Sequence, residues 1–294
     1  MISYNPKYWF RTFLRHQNAA IGRRLLPMAL CLIAYAFLVA WLADRYGHLL
    51  PLNSNLKNIS VLHSLLGFAI SILVVFRTNT AYDRWWEGRK LWGSLVNNSR
   101  TLAINLAALL PGDDERNRGF FGQLIPRFAL ELKNHLQLES TRFALDEDPH
   151  PEIPDFDRGK HVPNQVASLL MARAVALQRG GAINTEHLLL INSELSSFME
   201  VCGACERIKN TPIPYAYSAF IKQFIFFYVI TLPLGFVVSL GYWIIPAAVF
   251  VFYVLASLEL IAEEIEDPFG RDTNDLPMQR LTETIQKNVA EILA

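Results

Sequence analysis

Long apolar runs alternate with amphipathic stretches along this chain. A helix needs about 20 apolar residues to cross the hydrocarbon core of a membrane, and four windows approach that length: 25–43, 56–77, 219–241 and 245–262. Each is too long for a membrane strand, and a helix satisfies its own backbone hydrogen bonds. The last two windows meet at 241–246, where an aromatic pair and a proline are typical of an interfacial turn. The pattern predicts four transmembrane helices.

The middle of the chain predicts a helical domain outside the membrane. Apolar residues recur at helical spacing in four stretches, 85–110, 120–138, 165–178 and 186–208. Pro111 and Gly112 end the first of them. The segment 141–163 contains four prolines, which predict a loop. Its acidic residues and histidines, such as His161, could bind a divalent cation, but a solvated surface loop is the preferred interpretation. The fold class is therefore an all-α integral membrane protein with four transmembrane helices and a helical cytosolic domain.

Basic residues predict the orientation. Five precede the first span and five follow the second, whereas the loop between those spans holds only Arg45 and Lys57. Because lysine and arginine accumulate on the cytoplasmic side, both termini and the middle domain are expected in the cytoplasm. A multi-pass membrane protein in this orientation is the prediction.

The predicted organisation has five parts. They are a basic cytosolic arm at 1–24, the first two spans at 25–77, a helical cytosolic domain at 78–215, the third and fourth spans at 216–262, and an acidic segment with a C-terminal helix at 263–294.

Composition and motifs argue against several functions. The chain is 52% hydrophobic, and its 27 basic and 27 acidic residues cancel, so nothing attracts it to nucleic acid. A Gly-rich phosphate loop, a nucleophile triad and metal-ligand spacing are all missing from the sequence, so no enzymatic activity and no cofactor is predicted. Cys202 and Cys205 lie on one predicted helix and are expected to pack inside the domain.

The second span carries residues spaced by four, which form one ridge along a helix. The ridge consists of Ser60, Ser64, Phe68, Ile72 and Phe76. Gly67 and Ser71 beside it form a small-xxx-small pair that lets another helix approach closely. The apolar ridge either packs against helices and lipid, or lines a symmetry axis where its copies close an ion path by dewetting. Four spans are too few to enclose a path, so the second interpretation requires a cyclic oligomer.

Three parts of the sequence resemble the bestrophin family, especially its bacterial branch. The stretch Phe76–Arg89 resembles the end of the family's second helix. Cys205–Ile208 with Thr211–Pro214 resembles the start of its third span, and Glu266–Gly270 with Asn274–Pro277 resembles the segment after its fourth. The resemblance implies a homopentameric ion channel of the bacterial inner membrane with a central pore, whose partners are its own copies, monovalent ions and the lipid bilayer.

The resemblance also implies a narrow neck of three apolar residues on the second helix. Matched through Leu66–Gly67 and Val75–Arg77, the neck falls on Phe68, Ile72 and Phe76. A second register would place it on Ser60, Ser64 and Phe68 instead. The first is preferred because it needs no gap and all three residues are apolar.

A second constriction in the cytosolic domain is implied near Glu186. There Thr185 reads as a helix N-cap, and a carboxylate in the first turn is also favoured by the helix dipole without any pore role. If Glu186 does face the axis, a ring of carboxylates favours cations. The sequence therefore predicts monovalent cations, with a chloride channel of the same architecture as the alternative, since an apolar neck selects neither sign.

Carboxylates follow the fourth span, where animal bestrophins hold calcium. The matching positions are Glu264, Asp267, Asp272 and Asp275. Arg271 and Asn274 interrupt the acidic run, and Lys7 or Arg11 of the basic arm would neutralise it, so no metal site is predicted. A different function, that of a membrane-anchored scaffold without ion flux, would require an exposed apolar patch on the helices at 165–208.

Overall fold

The computed structural model of the chain describes residues 19–46, 55–137, 152–153 and 155–294, so Lys7 and Arg11 lie outside the described residues. All regular structure in these residues is helical, which confirms the all-α class. The α-helices are α1 Ala19–Tyr46, α2 Asn55–Leu109, α3 Glu115–Gln137, α4 Val162–Arg179, α5 Thr185–Asn210, α6 Tyr215–Leu240, α7 Ile244–Glu266 and α8 Met278–Leu293.

Helix α2 joins two elements that the sequence predicted separately. It runs for 55 residues through the second span and the first cytosolic stretch without a break. The polar residues after the span are accommodated in the helix, because the hydroxyls of Thr78 and Thr80 donate to the carbonyls of Val74 and Phe76 one turn earlier and are thereby satisfied. The helix ends at Leu109, just before Pro111 and Gly112.

Residues 2–83 and 213–266, as far as they are described, form one compact unit. In it α1 packs against α6 and α7, and the first part of α2 shares their core. A short 3-10 turn, Gly241–Trp243, connects α6 to α7. Gly241 has φ +52°, a left-handed conformation that a residue with a side chain rarely adopts. The predicted interfacial turn thus separates the third span from the fourth.

Long apolar helices make the chain a membrane protein. Stretches able to span are found in α1, in α2, and in Tyr215–Glu266, which contains both α6 and α7. Helix α5 is also long and apolar enough to cross a membrane, but its mean hydropathy is 1.2, against 2.3 or 2.4 for the other stretches. Helix α5 carries three glutamates beyond its first turn. Its apolar face is buried in the core of a second compact unit, formed by residues 84–212 and 267–294, so we assign it outside the membrane.

The second compact unit consists of residues 84–212 and 267–294 as far as they are described. Helix α3 packs against α4 and α8, and α4 packs against α5. Its core is rich in aromatic side chains, each of which stabilises the unit by about 1.5–3 kcal/mol when buried. Among them are Trp92, Phe120, Phe121, Phe128 and Phe198. Cys202 and Cys205 are buried in the same core, as predicted from the sequence.

Candidate functional site

The membrane part of α2 has two opposite faces. The buried face contains His63, Ile70, Val74, Arg77 and Ala81. Phe68 and Ile72 each precede a buried residue, Ile70 and Val74, by two positions, which is about 200° around a helix. Phe68, Ile72 and Phe76 are accordingly 69%, 40% and 60% exposed in the single chain. The predicted neck residues therefore share the face that points away from the chain's own helices.

Packing against α6 determines which face is buried. Ile70 and Val74 lie in one apolar cluster with Ile221, Ile225 and Val229 of α6. Because the ridge lies on the opposite side of α2 from Ile70 and Val74, this contact leaves the ridge facing away from α6.

The residues of the second register lie further along the same ridge. Ser64 is exposed, and its hydroxyl donates to the carbonyl of Ser60 at 2.9 Å. The two registers therefore differ in position along α2 and share one face.

Gly67 faces the side chain of Tyr228 on α6. A methyl group on Gly67 would lie 2.6 Å from the hydroxyl oxygen of Tyr228. The Tyr228 ring stacks on His63 with centroids 4.2 Å apart, which restricts its movement. Ser71 is exposed, and its hydroxyl donates to the carbonyl of Gly67 at 2.7 Å. Of the predicted small-residue pair, it is Gly67 that contacts a neighbouring helix.

Replacing Gly67 with alanine is expected to lower the free energy of unfolding by about 1–3 kcal/mol, because the added methyl group overpacks against Tyr228. Thermal unfolding in detergent measures the effect. Adding Tyr228→Phe removes the atom that clashes and should restore most of the loss. Gly22→Ala is the matched control, since nothing lies within 4 Å of a methyl group there. A loss equal to that of Gly22→Ala would refute the close approach.

Arg77 directly follows Phe76, the last predicted neck residue, and is buried in an ionic network. Its Nη2 donates to Glu266 Oε2 at 2.7 Å, and its Nε lies 3.6 Å from Glu259 Oε1. Glu266 Oε1 also accepts the backbone N–H of Ile213 at 2.8 Å. Sequence reasoning took Arg77 only as an orientation signal and missed this role. The network holds the membrane part of α2 against α7 at Arg77.

The acidic segment is neutralised in part by residues within the membrane unit. Besides Arg77, Lys222 pairs with Glu263 at 3.0 Å. Beyond α7, Asp275 is buried and its Oδ2 accepts the backbone N–H of Asp272 at 2.5 Å. Asp267 Oδ1 accepts the N–H of Phe269 at 3.3 Å.

These contacts stabilise a turn, and the remaining predicted carboxylate, Glu264, is partly exposed at the end of α7. Within the described residues, no potential metal-binding group of His, Cys, Asp and Glu includes any of these four carboxylates.

Glu186 is exposed in the first turn of α5. The N-cap of this helix is Asn184, whose side chain accepts the N–H of His187 at 2.8 Å, so the prediction of Thr185 as the cap was wrong. Asparagine is at least as good a cap as threonine, and the sequence presents both in succession. The next turn exposes Leu189 and Leu190.

Comparison with known proteins identifies the family of the chain. A family model described as "Bacterial/Fungal Bestrophin protein" matches residues 1–291. The chain belongs to the bestrophin family. Among its sequence relatives, a voltage-dependent anion channel-forming protein of Nostoc sp. is 32% identical over 293 residues, which cover 97% of this bestrophin and 92% of the relative. The protein YneE of Escherichia coli K12, of the same description, is 32% identical over 298 residues, with 99% and 94% covered.

A solved structure agrees with the sequence relatives. The crystal structure of a bacterial bestrophin homologue from Klebsiella pneumoniae aligns with a TM-score of 0.78 and 28% identity, covering 92% of this bestrophin and 98% of the homologue. The resemblance seen in the sequence is thereby confirmed. This bestrophin is an ion channel protein of the membrane and not an enzyme.

Proposed function

We propose that this bestrophin forms a homopentameric channel for small monovalent anions, with a neck lined by Phe68, Ile72 and Phe76. The observation that supports the neck is the division of α2 into two faces. One face packs against other helices of the same chain. The opposite face, the exposed ridge, is apolar over three successive turns. Around a symmetry axis, such ridges would stack as apolar rings, which close a pore by excluding water.

The charge sign of the permeant ion is inferred from the relatives and not from the neck. Uncharged rings do not distinguish anions from cations, and the names of the Nostoc and Escherichia coli relatives specify anions. They favour an anion channel over the cation preference that the sequence suggested from Glu186. The exposed Glu186 carboxylate then acts as an unfavourable charge for the permeant ion if it borders the path.

Reversal potentials in asymmetric NaCl are expected to follow chloride. Glu186→Gln should raise the chloride-to-sodium permeability ratio by at least about twofold, because it removes one repelling carboxylate from every subunit. Glu200→Gln is the matched control, since Glu200 is another exposed carboxylate of α5. A reversal potential that follows sodium would contradict the anion proposal, and equal ratios for the two variants would remove Glu186 from the path.

The pentamer and the topology belong to the same proposal. Four spans per chain require several subunits to enclose a path, and the family resemblance supports five. The arrangement of basic residues supports both termini in the cytoplasm, and the helical spans together with the bacterial relatives support an inner-membrane location. Native mass spectrometry of the detergent-solubilised protein should give five chains, and any other stoichiometry would overturn the pentamer.

One observation favours a second function, that of a scaffold. Leu189 and Leu190 expose an apolar pair on α5, the kind of patch that the scaffold hypothesis requires. In a channel the same pair would contact another subunit. Ion flux through liposomes containing only this protein separates the two functions, because a scaffold passes none.

A further inference from the structure

Three potential metal ligands meet at one point of the unit formed by 84–212 and 267–294. They come from three helices: His135 from the last turn of α3, His161 from the N-cap of α4 and Glu206 from α5. His135 Nε2 lies 2.7 Å and His161 Nε2 lies 2.5 Å from Glu206 Oε1. Their ligand atoms all lie within 4.8 Å of one another. We propose that these side chains bind a single transition-metal ion, with Zn²⁺ as the preferred ion.

The ligand set fits zinc chemically. Two imidazole nitrogens and one carboxylate oxygen are a common set for Zn²⁺, which takes a water molecule as its fourth ligand. All three side chains are partly exposed, so an ion and its water can enter from solvent. Calcium and magnesium are excluded as preferred ions because they require oxygen ligands.

The distances between the ligand atoms show that only small side-chain movements are needed for an ion to bind. In the metal-free state both histidines are within hydrogen-bond distance of one carboxylate oxygen. Ligand atoms of a tetrahedral zinc ion lie about 3.3 Å apart, as follows from metal–ligand distances near 2.0–2.1 Å. Side-chain movements of less than about 1 Å therefore make room for the ion, which replaces the protons shared with Glu206.

The tautomer of His161 determines the free-energy penalty of metal binding at this residue. Its Nδ1 accepts the backbone N–H of Asn164 at 3.1 Å, so the neutral ring carries its proton on Nε2 and donates it to Glu206. Metal binding at Nε2 moves the ring proton to Nδ1 and breaks the N-cap bond. Asn164 is exposed, and water can accept its N–H. Losing one cap is a small penalty beside the binding free energy of a three-ligand zinc site.

Neighbouring side chains preorganise the ligands. Burial and the charge of Glu206 raise the pKa of the Cys202 thiol to about 12, so Cys202 stays protonated and hydrogen-bonds Glu206. A protonated, buried thiol orients the carboxylate and is not itself a ligand. Lys209 Nζ donates to the carbonyls of His135 and Leu136, which holds the end of α3 against α5 before any ion binds.

The site would stiffen the part of α5 that contacts α2. Directly after Glu206, Arg207 pairs with Glu87 of α2 at 2.8 Å. Arg84 of α2 donates to the carbonyls of Ile208 and Thr211. An ion that joins α3, α4 and α5 thus rigidifies the partners of these two α2 residues, whatever ion the channel conducts.

Cobalt provides a direct readout that does not depend on channel activity. The full-length protein in detergent is freed of metal with EDTA, exchanged into buffer and titrated with CoCl₂, then with ZnCl₂. We expect the visible absorption of tetrahedral Co²⁺ to saturate at one ion per chain and to disappear as Zn²⁺ replaces it. Zinc should also raise the midpoint of thermal unfolding.

Three variants test the assignment, each alone. His135→Gln, Glu206→Gln and His161→Asn should each weaken cobalt binding at least tenfold and abolish the shift of the unfolding midpoint by zinc. Asparagine at position 161 is chosen because it preserves a good N-cap but is too short to reach Glu206. His187→Gln, a histidine of α5 outside the cluster, should bind like the unchanged protein.

Unfolding midpoints in EDTA show whether each variant is folded. The proposal is overturned if the unchanged protein gives no tetrahedral cobalt spectrum, or if folded His135→Gln and Glu206→Gln bind as tightly as His187→Gln. In either case the three side chains form a hydrogen-bonded cluster only.

Discussion

Replacing Phe68, Ile72 and Phe76 together with alanine is expected to raise ion flux into proteoliposomes by at least about tenfold. The three side chains are the bulky part of the exposed face of α2, and truncating them widens and wets the proposed neck. A tenfold gain requires a barrier lower by only about 1.4 kcal/mol. Because none of the three is buried within the chain, the variant should fold as the unchanged protein does.

The matched control for this experiment is Phe250→Ala. Phe250 lies on α7 and is 68% exposed, against 69% for Phe68, so the two differ in position and hardly in environment within the single chain. Its flux should equal that of the unchanged protein. If the triple variant leaves flux unchanged while it remains folded and inserted, the ridge does not limit conduction.

Replacing Arg77 with methionine is expected to destabilise the membrane unit by about 3–5 kcal/mol. The change leaves the buried Glu259 carboxylate and the Glu266 carboxylate without the charge that faces them. Removing one member of a buried ionic network costs far more than the network contributes, because the remaining charges keep their desolvation penalty. The fraction of folded protein after detergent extraction and its unfolding midpoint measure the loss.

An exposed ion pair in the same unit gives the control. Lys222 and Glu263 are about half exposed, so Lys222→Met should cost less than about 1 kcal/mol. Combining Arg77→Met with Glu259→Met and Glu266→Gln removes the two carboxylate charges that Arg77 faces and should recover much of the stability. If Arg77→Met is no worse than Lys222→Met, the network does not hold the membrane part of α2 against α7.

Local properties of the sequence predicted the membrane architecture. Apolar length identifies spans, and Gly241 with its aromatic neighbours identifies the turn between α6 and α7, because each depends on adjacent residues alone. The continuity of α2 was not predicted. The charges at Arg77 and Asp83 mark the end of a span in the sequence, although no glycine or proline stops the helix there.

Contacts between distant residues could not be predicted. Arg77 meets Glu259 and Glu266, which are far along the chain, whereas sequence reasoning offered the basic arm as the neutralising partner. His135, His161 and Glu206 follow no metal-binding spacing and come together only when α3, α4 and α5 pack. The loop containing His161 gave a weak signal of cation binding, and only its two partners make it the specific site that we propose.

The orientation of the α2 ridge toward a pore axis is the central claim, and cysteine modification tests it most directly. In a Cys31→Ser background, which removes the exposed native thiol, Ile72→Cys and Phe250→Cys are each treated with a charged methanethiosulfonate reagent during bilayer recording. Mass spectrometry confirms complete labelling. We predict that labelled Ile72→Cys loses its current and labelled Phe250→Cys keeps it. Full current through completely labelled Ile72→Cys would contradict the claim.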